Sequence, residues 1–407
     1  MLHNNHKIAL LLLIFLLLPL LSGCWDSKEI DKRANILAIG IDEAKTKEQK
    51  HEDEIAHFKN KLPISNEKMI KLTAQIAVPG RIPLGPEQGG GGPTNPVLVI
   101  PVVGHTIDDA LVNLQQEVSN PLFLGHLRII VLNEKVARKG TQQINDFLRR
   151  NPQIRRTANL VVSKEHASSY MKVNPKLERI PSLYLADMID NLSGLGKFPP
   201  SFIGLFWTHL SSKGQDAYLP YLSIKGKDNI QLNGLALFKG ERMAGKTSPL
   251  EIGDFMSVIG IYKGGYGAFS MVPGTDTVVM IGTKTRRSRI KVYLKKGKPH
   301  VLIRVRYECE IDEKQSQKVY IANSGMVKKI EKEFSGSVEE SIKSFIKKTQ
   351  SKESDIFGFG EYFRAKLPKY WKGRVRTKEN WEKIFKNDLT FNVKVDTHLN
   401  RVGMKAK

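Results

Sequence analysis

The stretch Ile36-Leu37-Ala38-Ile39-Gly40-Ile41-Asp42 decides the fold class of this chain of 407 residues. An apolar run of this length, closed by an aspartate, predicts a buried strand. Alternating or apolar segments at residues 71–78, 126–132 and 158–162 predict further strands, and helices are predicted between them, one of them over residues 134–150. Strands that alternate with helices indicate an α/β (mixed α+β) fold in which several strands are parallel.

The second half of the chain has a different pattern. Residues 192–230 are rich in Gly, Pro and aromatic residues, which predicts an irregular connection. Basic and apolar residues alternate from Ser288 to Cys309 and predict strands of hairpins, with Cys309 as a strand residue rather than a reactive thiol. Apolar residues at three- and four-residue steps predict a long helix from Ser324 to Gln350, and Leu389–Val395 predicts a final strand.

The first 23 residues have the organisation of a lipoprotein signal peptide. The apolar run from Ile8 to Leu21 is shorter than the about 20 residues that cross a bilayer, and it suits the apolar core of a signal peptide. Leu21, Ser22 and Gly23 then form a lipobox directly before Cys24. We therefore expect Cys24 to become the mature N-terminus and to carry a diacylglycerol and an N-acyl lipid such as palmitate. A plain signal peptide that ends at an incidental cysteine is the alternative.

Positive charge is concentrated in the last third of the chain. The formal net charge is +23, and residues 284–407 hold 32 Lys and Arg against 15 Asp and Glu. For a lipid-anchored protein the expected counterpart is an anionic membrane surface, where each nearby cation contributes ~1 kcal/mol. The predicted long helix offers Lys343, Lys347 and Lys348 as contacts with that surface. Acidic loops of a partner and plain solvent are the alternatives, and the export signal argues against nucleic acid.

No pattern of catalytic or metal-ligating residues stands out. The stretch Gly240–Thr247 fits the G-x-x-x-x-G-K-T phosphate-binding pattern, but Glu241 places a negative charge in the loop and no apolar strand ends in a magnesium-binding Asp. We interpret Lys239-Gly240-Glu241 as a turn between two short strands. The histidines lack the paired spacing of a metal site, and no G-x-S-x-G motif is present. The sequence therefore predicts no enzyme, no metal and no bound nucleotide.

Several blocks together resemble the Ger(x)C family, the lipoprotein C subunits of the nutrient germinant receptors of spore-forming bacteria. They are distributed over nearly the whole mature chain. The blocks are Gly23-Cys24-Trp25-Asp26, Glu29-Ile30, Ile36 to Asp42, Gly125-His126-Leu127, Arg150-Asn151-Pro152-Gln153-Ile154-Arg155-Arg156, Leu177-Glu178-Arg179-Ile180-Pro181, Asp355-Ile356-Phe357-Gly358-Phe359-Gly360, Pro368-Lys369-Tyr370-Trp371 and Trp381-Glu382-Lys383-Ile384-Phe385.

The resemblance implies three consecutive α/β domains, which we place at residues 24–191, 192–283 (with the irregular connection) and 284–407 (basic, with the long helix), after a signal peptide at residues 1–23. It also implies a non-enzymatic subunit on the outer face of the cytoplasmic membrane, the spore's inner membrane. There it would act beside membrane-embedded A and B subunits in sensing small nutrients. A solute-binding lipoprotein that captures the nutrient directly is the runner-up and predicts two similar lobes around a cleft. An exported enzyme is the third hypothesis.

Overall fold

A computed structural model describes most of the chain. The predicted signal peptide, the lipobox and Cys24 lie outside the described residues. Within the described part, no helix is both long enough and apolar enough to cross a membrane. The described residues are 32–45, 48, 69–79, 81, 95–173, 178–226, 228–316, 321 and 324–400.

The larger of two β-sheets is built from residues 34–246. Its nine strands, in chain order, are β1 (Ala34–Glu43), β2 (Ile70–Ala77), β3 (Val97–Gly104), β4 (Leu122–Phe123), β5 (Ile129–Asn133), β6 (Asn159–Ser163), β7 (Tyr218–Lys225), β8 (Asn229–Lys239) and β9 (Arg242–Lys246). Eight of them lie in the order β3-β2-β1-β5-β6-β7-β8-β9, and β4 pairs with β1. The central strands β1, β5, β6 and β7 are parallel, and the flanking pairs are antiparallel.

Both faces of this sheet are covered, which explains the unbroken apolar run of β1. Ile39 and Ile41 enter one hydrophobic core, whereas Ala38 enters another core on the opposite face. Four helices contribute to the first core and two, α4 and α5, to the second. In chain order the helices are α1 (Ile107–Glu117), α2 (Glu134–Lys139), α3 (Gln142–Arg150), α4 (Ala167–Tyr170), α5 (Pro181–Gly194) and α6 (Ile203–Ser211).

The smaller sheet has the strand order β10-β11-β12-β13. Its strands are β10 (Gly267–Met271), β11 (Val278–Lys295), β12 (Lys298–Lys314) and β13 (Thr390–Leu399). β11 and β12 form a long antiparallel hairpin, and β13 lies parallel to β12. The accompanying helices are α7 (Pro249–Ile259), α8 (Ser324–Ser351), α9 (Phe359–Lys366), α10 (Pro368–Tyr370) and α11 (Lys378–Asn387), and a π-helical turn spans Trp371–Val375.

Helix α8 covers one face and the free edge of the smaller sheet. Phe334 of α8 meets Tyr307 of β12 edge to face, with 6.3 Å between the ring centroids. The carboxylates of Glu331 and Glu339 accept hydrogen bonds from the edge amides of Leu399 (2.8 Å) and Val395 (3.0 Å). These bonds satisfy β13 amides that no further strand pairs, so the edge is protected against pairing with another chain.

The predicted mixed α/β class is confirmed, and the predicted long helix is α8. The predicted helix over residues 134–150 is two helices, because Gly140 ends α2 with φ of 130°. The irregular connection predicted over residues 192–230 was wrong in its central part, which forms α6 and β7. The aromatic residues that suggested irregularity fill the core instead, since Phe206 and Tyr221 are fully buried.

The predicted domain limits fall inside these elements. The limit between residues 191 and 192 lies within α5 and precedes β7–β9, which pair with the larger sheet. The limit between residues 283 and 284 lies within β11. The division into three domains stays a prediction.

Candidate functional site: a basic cleft between the two sheets

A cleft of about 1390 Å³ lies where α3 and α6 of the larger-sheet layer meet α9 and the π-helical turn. We call it the basic cleft. Its lining residues are Leu148, Arg149, Asn151, Pro152, Ile154, Arg156, Gly204, Trp207, Thr208, Ser211, Ser212, Lys213, Gln215, Glu361, Arg364, Pro368, Trp371, Lys372 and Arg376.

The charge of the basic cleft is strongly positive. It is lined by four arginines and two lysines and by a single carboxylate, Glu361. That carboxylate is already engaged, because it accepts hydrogen bonds from Ser212 Oγ (2.6 Å), Gly214 N (2.8 Å) and Arg364 Nε (2.6 Å). Burial opposes its ionisation, but these bonds outweigh burial and hold the pKa of Glu361 below its usual value. The other cations therefore face an open cleft that attracts anions.

Two indole rings form the aromatic part of the lining. The guanidinium of Arg149 lies 5.5 Å from the ring centroid of Trp207, a cation–π arrangement. Trp371 is 5% exposed and packs on Trp381, with 5.8 Å between the ring centroids. A ligand in the basic cleft can thus combine ionic contacts with apolar contacts.

Arg376 ends the π-helical turn in a strained conformation. Its φ is 65°, in the left-handed region that residues with a side chain rarely adopt, at a cost of order 1–3 kcal/mol. Its amide donates to the carbonyl of Trp371 (2.9 Å), and its Nε donates to the carbonyl of Lys372 (3.2 Å). Short π-helical turns occur frequently at functional sites. The turn fixes the guanidinium of Arg376 at the rim of the basic cleft.

A fully buried carboxylate holds the wall of the cleft in place. Asp355 accepts hydrogen bonds from the amides of Phe359 (3.2 Å) and Gly360 (2.9 Å) and from Trp381 Nε1 (2.9 Å). Its own amide donates to Asp216 Oδ2 at 2.9 Å. Burial raises the pKa of Asp355 to about 7 despite these bonds. The start of α9 is therefore fastened to α11 and to the loop that follows α6.

Further buried ionisable groups surround this junction. Lys378 Nζ lies 3.1 Å from Asp216 Oδ1 and donates to the carbonyl of Gln215 at 2.9 Å. Burial raises the pKa of Asp216, and it raises the pKa of Glu382 to about 7. His209 is shifted in the opposite direction, since burial and then the charge of Lys378 lower its pKa to about 4. These groups pack the junction behind the cleft and are absent from the cleft lining.

The lining is suited to binding an anion. The described residues of the basic cleft include no His, Cys or Asp, and the Glu361 carboxylate to which Ser212 Oγ donates is also bound by the amide of Gly214 and by Arg364 Nε. Nor do three or more potential metal ligands come together anywhere in the described part of the chain. The cleft can hold and orient an anionic group with charge-assisted hydrogen bonds.

The three lysines predicted to contact an anionic surface lie on α8 but differ in their surroundings. Lys343 pairs with Glu339 at 3.3 Å and Lys348 with Glu251 at 2.6 Å. Lys347 is exposed. The structure thus brings two of the three to carboxylates of the protein itself and does not bring any of them to the basic cleft.

The phosphate-binding pattern at residues 240–247 is a β-hairpin, as the predicted turn requires. Gly240 turns between β8 and β9 with φ of 54°, and Glu241 accepts from Thr141 Oγ1 at 2.7 Å. Lys246 Nζ lies 4.3 Å from the ring centroid of Tyr221, and Thr247 Oγ1 accepts from the amide of Leu235 at 2.9 Å. The lysine and threonine that would bind a nucleotide are therefore used inside the fold.

Cys309 is a strand residue, as predicted. It is fully buried in β12, and burial raises the pKa of its thiol to about 12. A thiol that stays protonated at neutral pH is a poor nucleophile.

The basic cleft itself was not predicted from the sequence. Two of the blocks that carry the family resemblance, residues 150–156 and 368–371, lie about 200 positions apart and meet in its lining. A third, residues 355–360, supplies the buried carboxylate behind it. These blocks were the feature of the sequence that could have indicated the basic cleft, but only the fold shows that they lie together.

Comparisons with known proteins match nearly the same part of the chain as the blocks that carry the family resemblance. The family described as "Spore germination protein N-terminal domain" matches residues 26–224, and the family "Spore germination B3/ GerAC like, C-terminal" matches residues 233–403. The chain is 28% identical to "Spore germination protein GerQC" of Bacillus cereus, over 78% of this chain and 85% of that protein. It is 25% identical to "Spore germination protein KC" of Bacillus subtilis (strain 168), over 98% and 97%.

A solved structure supports the fold. The crystal structure of the GerBC protein superposes with a TM-score of 0.55 at 19% identity, and the match covers 83% of this chain and 95% of that one. With both family domains matched in order along the chain, this protein belongs to the Ger(x)C family of spore germination proteins, the family of germinant receptor C subunits.

Proposed function

We propose that this protein is a lipid-anchored, non-enzymatic germinant receptor subunit and that its basic cleft binds an acidic segment of a membrane-embedded receptor partner, the A or B subunit. The observation that carries the proposal is the lining of the cleft, where six cations and two indoles face a single, internally bonded carboxylate. Arginine forks bind carboxylates with two parallel hydrogen bonds, so several arginines in one cleft fit a chain with several carboxylates better than a single small anion.

The position of the cleft near the start of the described chain supports a membrane partner. Arg33 lies over the ring of Phe123, 4.7 Å from its centroid, and the adjacent amide of Leu124 donates to Gln153 Oε1 at 2.7 Å. Gln153 belongs to the loop of residues 151–156 that lines the cleft. Seven residues lie between Cys24 and Lys32, and the eight steps from one Cα to the next span at most ~28 Å. A lipid on Cys24 would therefore keep the cleft close to the outer face of the cytoplasmic membrane, which is the spore's inner membrane.

The anchor is tested by changing its attachment residue. We expect Cys24→Ala to abolish labelling with palmitate and to leave the protein unprocessed or released from the membrane fraction. The proposed function involves no cofactor and no metal, so the covalent lipid is the one non-protein group that it requires. Absence of label in the unchanged protein would contradict the anchor, independently of the cleft.

The cleft is tested with two charge-matched double variants. Arg149→Glu with Arg376→Glu places two carboxylates in the lining, whereas Arg150→Glu with Arg374→Glu makes the same charge change at neighbouring exposed positions outside it. We expect the first pair to lose crosslinking to the A or B subunit and to slow germination, and the second pair to retain both. Equal effects of the two pairs, with both proteins present at the membrane, would contradict the cleft as the docking site.

Direct capture of the nutrient is the second candidate, and the architecture disfavours it. Solute capture predicts two similar lobes, but the two sheets have nine and four strands with different topologies. The cleft volume of about 1390 Å³ also exceeds the roughly 300–1,000 Å³ of pockets that enclose small ligands. Calorimetric titration of the mature chain with amino acids and sugars separates the two functions, since saturable heat that is lost in the Arg149 and Arg376 double variant would favour capture.

A further inference from the structure

We propose that the outer face of the smaller sheet is a docking surface for an anionic lipid bilayer. We call it the cationic sheet face. It comprises the outward side chains of β11, β12 and β13 from Arg287 to the hairpin tip at Lys295. The inference rests on the membrane location proposed above but uses a surface separate from the basic cleft.

The strand register places three cations side by side. Arg289 of β11 pairs with Arg304 of β12, and Arg304 pairs with Lys394 of β13. Residues in register on neighbouring strands point to the same face, and all three side chains are exposed. Among the described residues, no carboxylate lies within 4.0 Å of any of their charged groups. The free protein thus carries an unneutralised row of like charges, which destabilises a sheet when the charges are directly opposite.

Neighbouring rows extend the positive charge along the hairpin. On one side Arg287 and Arg306 pair in register, with Asp396 next to them as the one acid of that row. On the other side lie the row of Lys291, then the row of Tyr293 and His300, and then the terminal pair of Lys295 and Lys298. From Arg287 to Lys295 the face is ~27 Å long at the rise of a strand. Arg306 is paired with Glu308 at 3.4 Å and Lys298 with Asp388 at 3.8 Å, so the unneutralised charge is concentrated in the central row, which an anionic surface would complement.

The tip of the hairpin has the composition of a membrane interface contact. Lys296 and Gly297 make a tight two-residue turn, with φ of 51° and 77°. Lys295 comes directly before the turn, and the two residues before Lys295, Tyr293 and Leu294, are 41% and 40% exposed. Tyrosine and long basic side chains suit the headgroup level of a bilayer, where an apolar body and a polar tip are both accommodated.

The shape of the surface favours a bilayer over a protein segment. The cationic sheet face is an open strand surface, whereas a polyacidic protein segment is better enclosed by a concave site such as the basic cleft. Each Lys or Arg near an anionic leaflet contributes ~1 kcal/mol, so the three cations of the central row together strengthen partition into the membrane by at most on the order of a hundredfold.

The position of α8 provides a matched comparison. The helix packs against the inner face of the same sheet, through Phe334 and Tyr307. Its three lysines, Lys343, Lys347 and Lys348, therefore belong to the other layer of this two-layer structure. Removing three charges from either layer changes the net charge equally, and only one of the two layers can be the main contact.

The experiment measures cosedimentation of the mature chain, residues 24–407 with Cys24→Ser, with two kinds of vesicle. One contains phosphatidylglycerol mixed with phosphatidylcholine, and the other contains phosphatidylcholine alone. We expect binding to the anionic vesicles only, weakened by salt as the Debye length falls below ~8 Å. The variant with Arg289→Gln, Arg304→Gln and Lys394→Gln should bind the anionic vesicles more weakly by on the order of tenfold. The variant with Lys343→Gln, Lys347→Gln and Lys348→Gln should lose less than about threefold, since two of these lysines are already neutralised by carboxylates.

Thermal unfolding separates docking from a structural role. Relief of like-charge repulsion should leave Tm of the sheet variant unchanged or raise it by on the order of 1–2 °C, while its vesicle binding falls. A lower Tm together with weaker binding would overturn the proposal, as would equal losses in the two triple variants. Binding to neutral vesicles as strong as to anionic ones, or none to either at low salt, would also overturn it and leave an acidic protein as the partner of this face. None of these outcomes depends on germination or on the receptor, so the receptor proposal stands or fails separately.

Discussion

Gly360→Ala should destabilise the packed junction behind the basic cleft. A Cβ at position 360 would lie 2.5 Å from Trp381 Nε1 and 2.6 Å from the Cα of Gly214, so neither an indole in a packed core nor a backbone can yield easily. Overpacking of this kind costs about 1–3 kcal/mol. Displacement of Trp381 also breaks its hydrogen bond to the buried Asp355, which adds about 1–3 kcal/mol. We expect a loss of about 2–6 kcal/mol in the free energy of unfolding.

Chemical denaturation of the mature chain measures this loss, and Gly336→Ala is its control. Gly336 lies within α8, and a Cβ there meets nothing within 4 Å. The same substitution should therefore stabilise the protein by about 0.5–1 kcal/mol, because alanine favours the helix. The test is that the two substitutions change the free energy of unfolding in opposite directions. If Gly360→Ala cost less than about 1 kcal/mol, below the range for overpacked cores, the close approach of the α9 start to the loop after α6 would not be part of the native structure.

Three further predictions concern single groups. Burial raises the pKa of Glu382 from 4.5 to about 7, so the folded state holds this proton, and the stability it contributes is present below pH 4.5 and lost as the pH rises through 7. At pH 8 the Glu382→Gln variant should therefore be more stable than the unchanged protein, with a free energy of unfolding higher by up to about 3 kcal/mol and a higher unfolding temperature. At pH 4 the two proteins should unfold at similar temperatures. A variant less stable than the unchanged protein at pH 8 would show that the ion pair of Glu382 with Lys239 outweighs burial. The Cys309 thiol, with its pKa raised to about 12, should resist iodoacetamide at pH 8 until the chain is denatured, and rapid labelling of the native protein would refute its burial. Lys246→Ala should cost about 0.5–1 kcal/mol through the lost contact with Tyr221 and leave germination intact, and saturable ATP binding that this change removes would contradict the hairpin assignment.

Local patterns predicted the elements whose causes are local. The apolar run of β1 and the stripe of α8 each repeat with the period of one structure, so a short window of sequence carries the whole signal. The turn at Gly240 was predictable for the same reason. The prediction for residues 192–230 failed because Pro199, Gly214 and Gly226 lie between the elements, whereas Gly204 and Pro220 are accommodated inside α6 and β7. The aromatic residues Phe206 and Tyr221 are buried in a core most of whose other members are distant in sequence.

The basic cleft depended on contacts that no local pattern records. Arg149 and Arg376 are separated by more than 200 positions, and the segment that follows α6 is joined to α9 by hydrogen bonds from Ser212 and Gly214 to Glu361. The cationic sheet face could be predicted only in part from the sequence. Alternation of basic and apolar residues from Ser288 to Cys309 predicted the strands of a hairpin, but the register that aligns Arg304 with both Arg289 and Lys394 is set by the pairing of three strands. Charge counts likewise located the positive third of the chain without showing which lysines of α8 are already paired.

The junction between the sheets argues for a rigid adaptor rather than a hinged receptor. Leu235 and Leu237 of β8 belong to the same hydrophobic core as Val301 of the smaller sheet and Trp381 of α11, whereas Ala236 and Phe238 face the core of the larger sheet. One strand thus supplies both cores, and the buried Asp355 ties the same layers together. A hinge that closes the cleft around a solute would have to break this shared core. Under the proposed function, a preformed cleft would bind the receptor partner without the ordering cost of closure, as expected of a subunit that holds receptor components in a fixed arrangement at the membrane.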